Sequence, residues 1–189
     1  WNVNQDELLQ NGVGVADDWL VLSSRTDEDE KTGLRTQVNW LWGKESRRAA
    51  QILQFAYRKQ PMDTSLAPGL MARGELLFFP GAYPLRGIFK QMQLASPMFA
   101  PKGFPTLTAF LNECSAALGK NPWLEVFPVV LEDIVPLRLG ESWALGDRES
   151  RTLPLAAEFA SPWELYALAG GQPITVFCLW DGLTLTPQA

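Results

Sequence analysis

The chain has 189 residues, 47% hydrophobic and 20% charged, enough apolar material for one globular domain or two packed halves, which excludes global disorder. Its net charge of −5 suits phosphate poorly, so nucleic acid is disfavoured as a partner. The lack of any histidine excludes Ser-His-Asp and Cys-His catalysis and every His-containing zinc set within the chain.

With no secretory leader and no apolar run of about 18 residues, a cytoplasmic protein without a membrane partner is expected. An opening Trp1 in place of Met reads as part of a longer polypeptide. Asn4 to Gln10 predicts a short helix, with Asn4 as N-cap, Asp6 and Glu7 in the first turn and Gly12 as its end. Trp19–Ser24 and Leu34–Trp42 are apolar runs of strand length, and the charged Thr26–Gly33 between them predicts a hairpin with an acidic loop. Gly43–Ser46 predicts a turn. Arg48–Tyr57 is open to helix or strand, with strand favoured by the short turn before it. Pro61–Gly69 reads as a loop and Glu75–Phe79 as a buried strand stopped by Pro80-Gly81.

Ser96–Pro105 carries three prolines and a glycine and reads as a linker between a first half, 1–95, and a second, 106–189. A helix to about Leu118 follows, capped by Thr106 or Thr108, with Phe110, Leu111, Cys114, Ala117 and Leu118 on one face and Gly119 as the stop. Trp123–Leu131, Val135–Leu139 and Trp143–Leu145 read as strands. Ser161 and Pro162 start a helix that ends near Gly170-Gly171. Ile174–Trp180, Asp181-Gly182 and Leu183–Leu185 form a hairpin signal. The fold class expected is α+β, mainly antiparallel β-sheet with a few packed helices.

The halves echo each other. Trp19-Leu20 is followed 21 positions on by Trp40, then Gly43 and Glu45-Ser46-Arg47. Trp123-Leu124 is followed 20 positions on by Trp143, then Gly146 and Glu149-Ser150-Arg151. A repeat of a rare residue in fixed order predicts two duplicated sub-structures, with each Gly in a turn that needs positive φ or close approach and each triplet opening a strand.

Chemical motifs are few. Cys114 and Cys178 read as buried thiols; a disulfide between them has no support from spacing. No phosphate loop or dinucleotide fingerprint is present, and Asp27 and Asp29 lack the rest of a calcium loop. Glu132, Asp133 and Glu141 are carboxylates without a catalytic motif. The chain is therefore expected to be no enzyme and to carry no metal or cofactor. Two surfaces remain. Phe79–Arg86 is a Pro- and Gly-fixed loop that presents Tyr83, Pro84 and Arg86, types suited to a protein-binding anchor. Trp40, Trp42, Arg47 and Arg48, with Lys44 and Arg35 nearby, form the alternative nucleic-acid surface, opposed by Asp27–Glu30.

Trp40–Ala56, Pro61–Ser65 and Gly74–Arg86, with the tail Leu165–Phe177 and Trp180-Asp181-Gly182, resemble the C-terminal region of bacterial SWIM zinc finger family proteins. The resemblance covers most of the chain. In that family the zinc ligands lie towards the N-terminus, and Cys114 and Cys178 do not match them. It implies a bacterial protein in which this chain is a scaffold or protein-interaction module downstream of the finger, associated with MoxR-type ATPases and von Willebrand A domain proteins. A nucleic-acid-binding accessory role beside the finger is the alternative it implies.

Overall fold

The computed structural model describes residues 5–96 and 99–188, so the N-cap expected at Asn4 and part of the expected linker lie outside the described residues. The chain divides into two compact units, residues 1–100 and 101–189. Among the described residues no helix is long and apolar enough to cross a membrane. The fold is α+β and mainly antiparallel sheet.

In the first unit, helix α1 (Gln5–Asn11) precedes strands β1 (Gly14–Asp29), β2 (Leu34–Gly43), β3 (Ala49–Tyr57), β4 (Met71–Phe78) and β5 (Gly87–Ala95). Their order in the sheet is β3-β2-β1-β4-β5. The long β1 serves two partners in succession: Gly14–Leu20 pairs with β4, and Trp19–Asp29 pairs with β2. Its register shifts between Val21 and Ser23, where it passes from one partner to the other. A bulge there bends and twists the strand, which lets the sheet curl. The two outer strands then meet: Gln51 of β3 bridges Arg86 in parallel sense, and its N–H donates to the Leu85 carbonyl at 2.8 Å. Residues at period two fill the interior, where Trp19, Val21, Leu41, Ala50, Ile52, Leu66, Ala72 and Leu76 form one buried cluster. Truncating a side chain such as Leu41 to alanine there costs about 2–5 kcal/mol.

The second unit holds helix α2 (Leu107–Lys120), strands β6 (Phe127–Leu139), β7 (Ser142–Gly146) and β8 (Thr152–Pro154), helix α3 (Pro162–Ala169), and strands β9 (Ile174–Trp180) and β10 (Leu185–Pro187). Thr106 caps α2, its hydroxyl accepting from the Ala109 N–H at 3.2 Å. The sheet reads β8-β7-β6-β9-β10, the order of the first unit strand for strand. Again the first strand serves two partners, β9 and then β7, with a register shift between Leu131 and Ile134 and Asp133 at a φ of 51°. Again the outer strands approach in parallel sense, at Leu155 and Leu185. A five-stranded Greek-key barrel, partly open, with a three-strand meander followed by a hairpin that returns beside the first strand, is the connectivity of the OB-fold. Each unit has it. The link from third to fourth strand is a loop in the first unit and contains α3 in the second.

The two units therefore share a strand order, but the sequence echo that suggested a duplication is only partly placed. Trp40 and Trp143 both lie on second strands, three residues before the closing Gly43 and Gly146. Trp19, by contrast, is fully buried in β1, whereas Trp123 lies in a turn before β6 and is 88% exposed. That pairing is chance. The Glu-Ser-Arg triplets sit in turns and do not open strands. Neither Gly has positive φ; Arg47 and Ser150 take it instead. Close approach is what Gly43 and Gly146 provide: an added Cβ would stand 2.6 Å from Asp17 Oδ2 at the first and 2.6 Å from Leu137 Cδ1 at the second.

Other boundaries also moved. The expected loop Thr26–Gly33 is strand as far as Asp29, because cross-strand pairs such as Glu28 with Arg35 extend the ladder beyond the apolar run. Strand β5 carried no sequence expectation. The two strands expected over Trp123–Leu139 are the single β6, interrupted by its bulge. Gly119 does not stop α2, which runs to Lys120 with Asn121 as C-cap. Within the expected linker, Phe104 is tied into the second unit, its N–H donating to Val130 and its carbonyl accepting from Glu132.

Candidate binding face on the first barrel

Pairing of β2 with β3 places Leu34 opposite Tyr57, Thr36 opposite Phe55 and Val38 opposite Leu53. Side chains alternate along a strand, and Ala50 and Ile52 point into the core, so these six belong to the outer face. Phe55 is 54% exposed and Tyr57 45%; Leu34 is exposed, and Val38 and Leu53 are half-buried. Two residues along a strand separate the two rings' anchor points by about 6.6 Å. The result is an apolar strip with two aromatic rings in sequence.

Strand β1 frames it with Arg25, Asp27 and Asp29, opposite Val38, Thr36 and Leu34. Arg25 Nη2 lies 3.0 Å from Asp27 Oδ1. The Asp29 carboxyl accepts from the Thr32 hydroxyl at 2.8 Å and the Lys31 N–H at 2.9 Å, and these bonds hold it below its ordinary carboxylate range. The Arg58 guanidinium stands 4.9 Å over the Tyr57 ring. Two cations and two carboxylates thus leave the frame near neutral.

Behind the strip, a polar network stiffens the two strands. Fully buried Asn39 donates to Gln54 Oε1 at 3.0 Å, and Gln54 donates to Asp63 Oδ2 at 3.0 Å. Gln37 donates to Ser24 Oγ at 2.7 Å. The Ser65 N–H, bonded at 2.9 Å, holds the Asp63 carboxyl below its ordinary range. Arg35 reaches the Gln60 carbonyl, and the Gln60 side chain accepts from the Tyr57 N–H at 3.2 Å. The β3–β4 loop is thereby pinned to the ends of the strands that carry the strip.

The residues singled out by sequence fall around this face. Tyr83 and Pro84 are half-buried in the β4–β5 loop, and exposed Arg86 lies 4.7 Å over Phe79. That loop meets the start of β3 through Leu85 and Gln51, while the β1–β2 turn stands at its end, where Leu34 faces Tyr57. The two bracket the strip. Trp40 and Trp42 continue the same outer face, yet they are only 6% and 3% exposed, so neither is a platform for stacking bases. Arg47 is exposed in the β2–β3 turn, and Arg48 stacks 4.2 Å over Phe78. This corrects the expected nucleic-acid surface: its aromatic half is covered. Phe55 and Tyr57 were missed, although Leu53, Phe55 and Tyr57 alternate at period two.

The carboxylates considered for catalysis are dispersed. Glu132 sits at the β6 bulge, where it accepts from the Gly103 N–H; Asp133 is in the same bulge and Glu141 in the β6–β7 turn. Among the described residues no group of three His, Cys, Asp or Glu could hold a metal ion. Cys114 and Cys178 are both free and buried, and burial raises both thiol pKa values.

Compared with protein-family models, curated proteins and solved structures, the chain matches none.

Proposed function

We propose that the chain is a non-catalytic protein-interaction module whose first barrel engages a partner through the β2–β3 face. The observation that carries this reading is the exposure of Phe55 and Tyr57 side by side on a stiffened strip. Soluble surfaces seldom leave large rings open in a row, and aromatic anchors supply much of the energy of specific interfaces. The near-neutral frame favours a protein over a polyanion. The resemblance to SWIM zinc finger proteins supports a MoxR-type ATPase or a von Willebrand A domain protein as the partner to test. Full-length protein carrying Phe55→Ser and Tyr57→Ser is expected to lose at least tenfold in affinity for that partner in a two-component binding assay. Tyr83→Ala with Arg86→Ala is expected to lose less, since Arg86 already stacks on its own Phe79. Unaltered affinity in the double serine variant would remove the face from the proposal.

A second reading rests on connectivity: OB barrels bind oligonucleotides and oligosaccharides on this same pair of strands. That is an analogy of fold alone. Fluorescence anisotropy with a labelled oligothymidine at 50 and 200 mM salt separates the two. Binding that steepens at low salt and falls in Tyr57→Ala favours nucleic acid; no binding favours the protein partner.

A further inference from the structure

Independent of the first barrel, the second carries a cluster of three rings where α3 meets the β6–β7 hairpin. Pro162 fixes the first turn of α3, and Trp163 and Tyr166, three positions apart, share one face of that helix. Trp143 of β7 meets both. Its ring centroid lies 4.8 Å from that of Trp163 and 5.7 Å from that of Tyr166, and the two helix rings are 6.3 Å apart. The planes stand at 80°, 62° and 86° to one another, so no ring is stacked flat on its neighbour. Rings that serve only to seat a helix lie under it, whereas Trp163 is 57% exposed and Tyr166 44%. The chain thus leaves open aromatic surfaces set steeply to one another.

What such a surface attracts is already visible. Arg138 of β6 stands directly opposite Trp143 in the ladder, and its guanidinium lies 5.1 Å over the Trp163 ring. The face of an aromatic ring is the negative end of its quadrupole, and Trp attracts a cation most strongly. Among the described residues no carboxylate pairs with Arg138, so the ring is what its charge meets. Glu141, two residues before Trp143 in the β6–β7 turn, and Glu164, next to Trp163, are exposed and add negative potential at the margin.

We infer that this cluster is a binding site for a quaternary ammonium group, free in solution or at the end of a trimethylated lysine, and that Arg138 occupies it in the free chain. A guanidinium is planar and carries five N–H donors that want partners, so it lies along one ring. A quaternary ammonium is compact, has no N–H to satisfy and spreads its charge over methyl groups. It can meet the faces of Trp163, Tyr166 and Trp143 at once, which is how aromatic cages hold such ions.

Titration of the whole chain with choline, followed through the indole N–H resonances, tests it, with the neutral tert-butyl isostere of choline as the control. Choline is expected to shift the Trp143 and Trp163 signals and the isostere to leave them in place, a comparison that needs no variant. Trp163→Ala is expected to weaken choline binding about tenfold, and Arg138→Gln to strengthen it about threefold by removing the competing cation. Melting temperature of each variant checks that the fold persists. Peptides carrying a trimethylated or an unmodified lysine identify the source. Tighter binding of the methylated peptide than of choline assigns the site to a protein, and the reverse assigns it to a free solute. No shift with choline, equal shifts with the neutral isostere, or an affinity unmoved in both variants would each overturn the inference.

Discussion

At the scale of single residues, the turns are held by carboxylates. Asp17 accepts from the Glu45 and Ser46 N–H groups across the β2–β3 turn, and Asp147 accepts from Glu149, Arg151 and Leu107. Asp18 and Asp181 are held below the ordinary value of 3.8, the first chiefly by its hydrogen bond from Arg73 and the second chiefly by the Thr184 N–H. A carboxyl whose folded pKa is depressed contributes stability that is present above its unfolded pKa and is lost as pH falls through the folded one. Urea midpoints are therefore expected to hold from pH 7 to about 5 and to fall below about pH 4, with a shallower fall in Asp181→Asn. Tightness is tested at Gly103, where a Cβ would stand 2.0 Å from the Val130 carbonyl oxygen. Gly103→Ala is expected to cost about 1–3 kcal/mol in a denaturation series, as overpacking against fixed backbone does. An unaltered midpoint would show that the Phe104 segment yields. Cys114 and Cys178 are expected to resist a thiol reagent in the folded chain and to react fully in denaturant.

At the scale of elements, Phe55→Ser and Tyr57→Ser remove exposed surface, so stability is expected to move by less than about 0.5 kcal/mol while partner binding falls. Calorimetry beside the binding assay checks the separation of the two effects. How far these elements could be read depended on where the apolar signal lay. Trp19–Ser24, Leu34–Trp42 and a hairpin at Asp181-Gly182 were legible because one face is buried and the turn residues are specific, although the hairpin's second strand is Leu185–Pro187 in place of the expected Leu183–Leu185. Strand β1 beyond Ser24 was not, since Arg25, Asp27 and Glu28 extend a ladder through charges, which a hydrophobic pattern does not register. Strand β6 looked like two strands because its bulge puts Glu132 and Asp133 in mid-run. Phe55 and Tyr57 were hidden by the Ala and Gln residues of β3, whose inner positions are small or polar where Gln54 reaches Asp63. Trp123 misled in the other direction: it was read as the start of a strand equivalent to that of Trp19, and it lies exposed in a turn.

At the scale of the whole molecule, each unit has its own sheet, its own bulged first strand and its own core. Residues 1–100 and 101–189 expressed separately are each expected to give a cooperative thermal transition and dispersed amide spectra. A fragment that stays unfolded alone would show that its barrel draws stability from beyond its own residues. The shared strand order was not legible from the Trp echo, which placed one pair well and the other badly. Order in a sheet depends on which strand the first strand meets before its bulge, β4 in one unit and β9 in the other, and that is a long-range pairing no local pattern records.

The parallel contact that completes each barrel differs in kind from the ladders around it. Four antiparallel seams join neighbouring strands, long in the first unit and down to three residue pairs in the second, while the fifth is stitched by one bridge, Gln51 to Arg86 in the first unit and Leu155 to Leu185 in the second. A cylinder stitched unevenly opens along its shortest stitch. Each barrel is thus a sheet rolled around its core and fastened at a clasp, and the amides of Gln51 and Ala156, which bond across it, are the first expected to exchange with solvent deuterium. The clasp in the first unit is the foot of the Phe79–Arg86 loop. Whatever docks beside that loop also decides how often the cylinder comes undone.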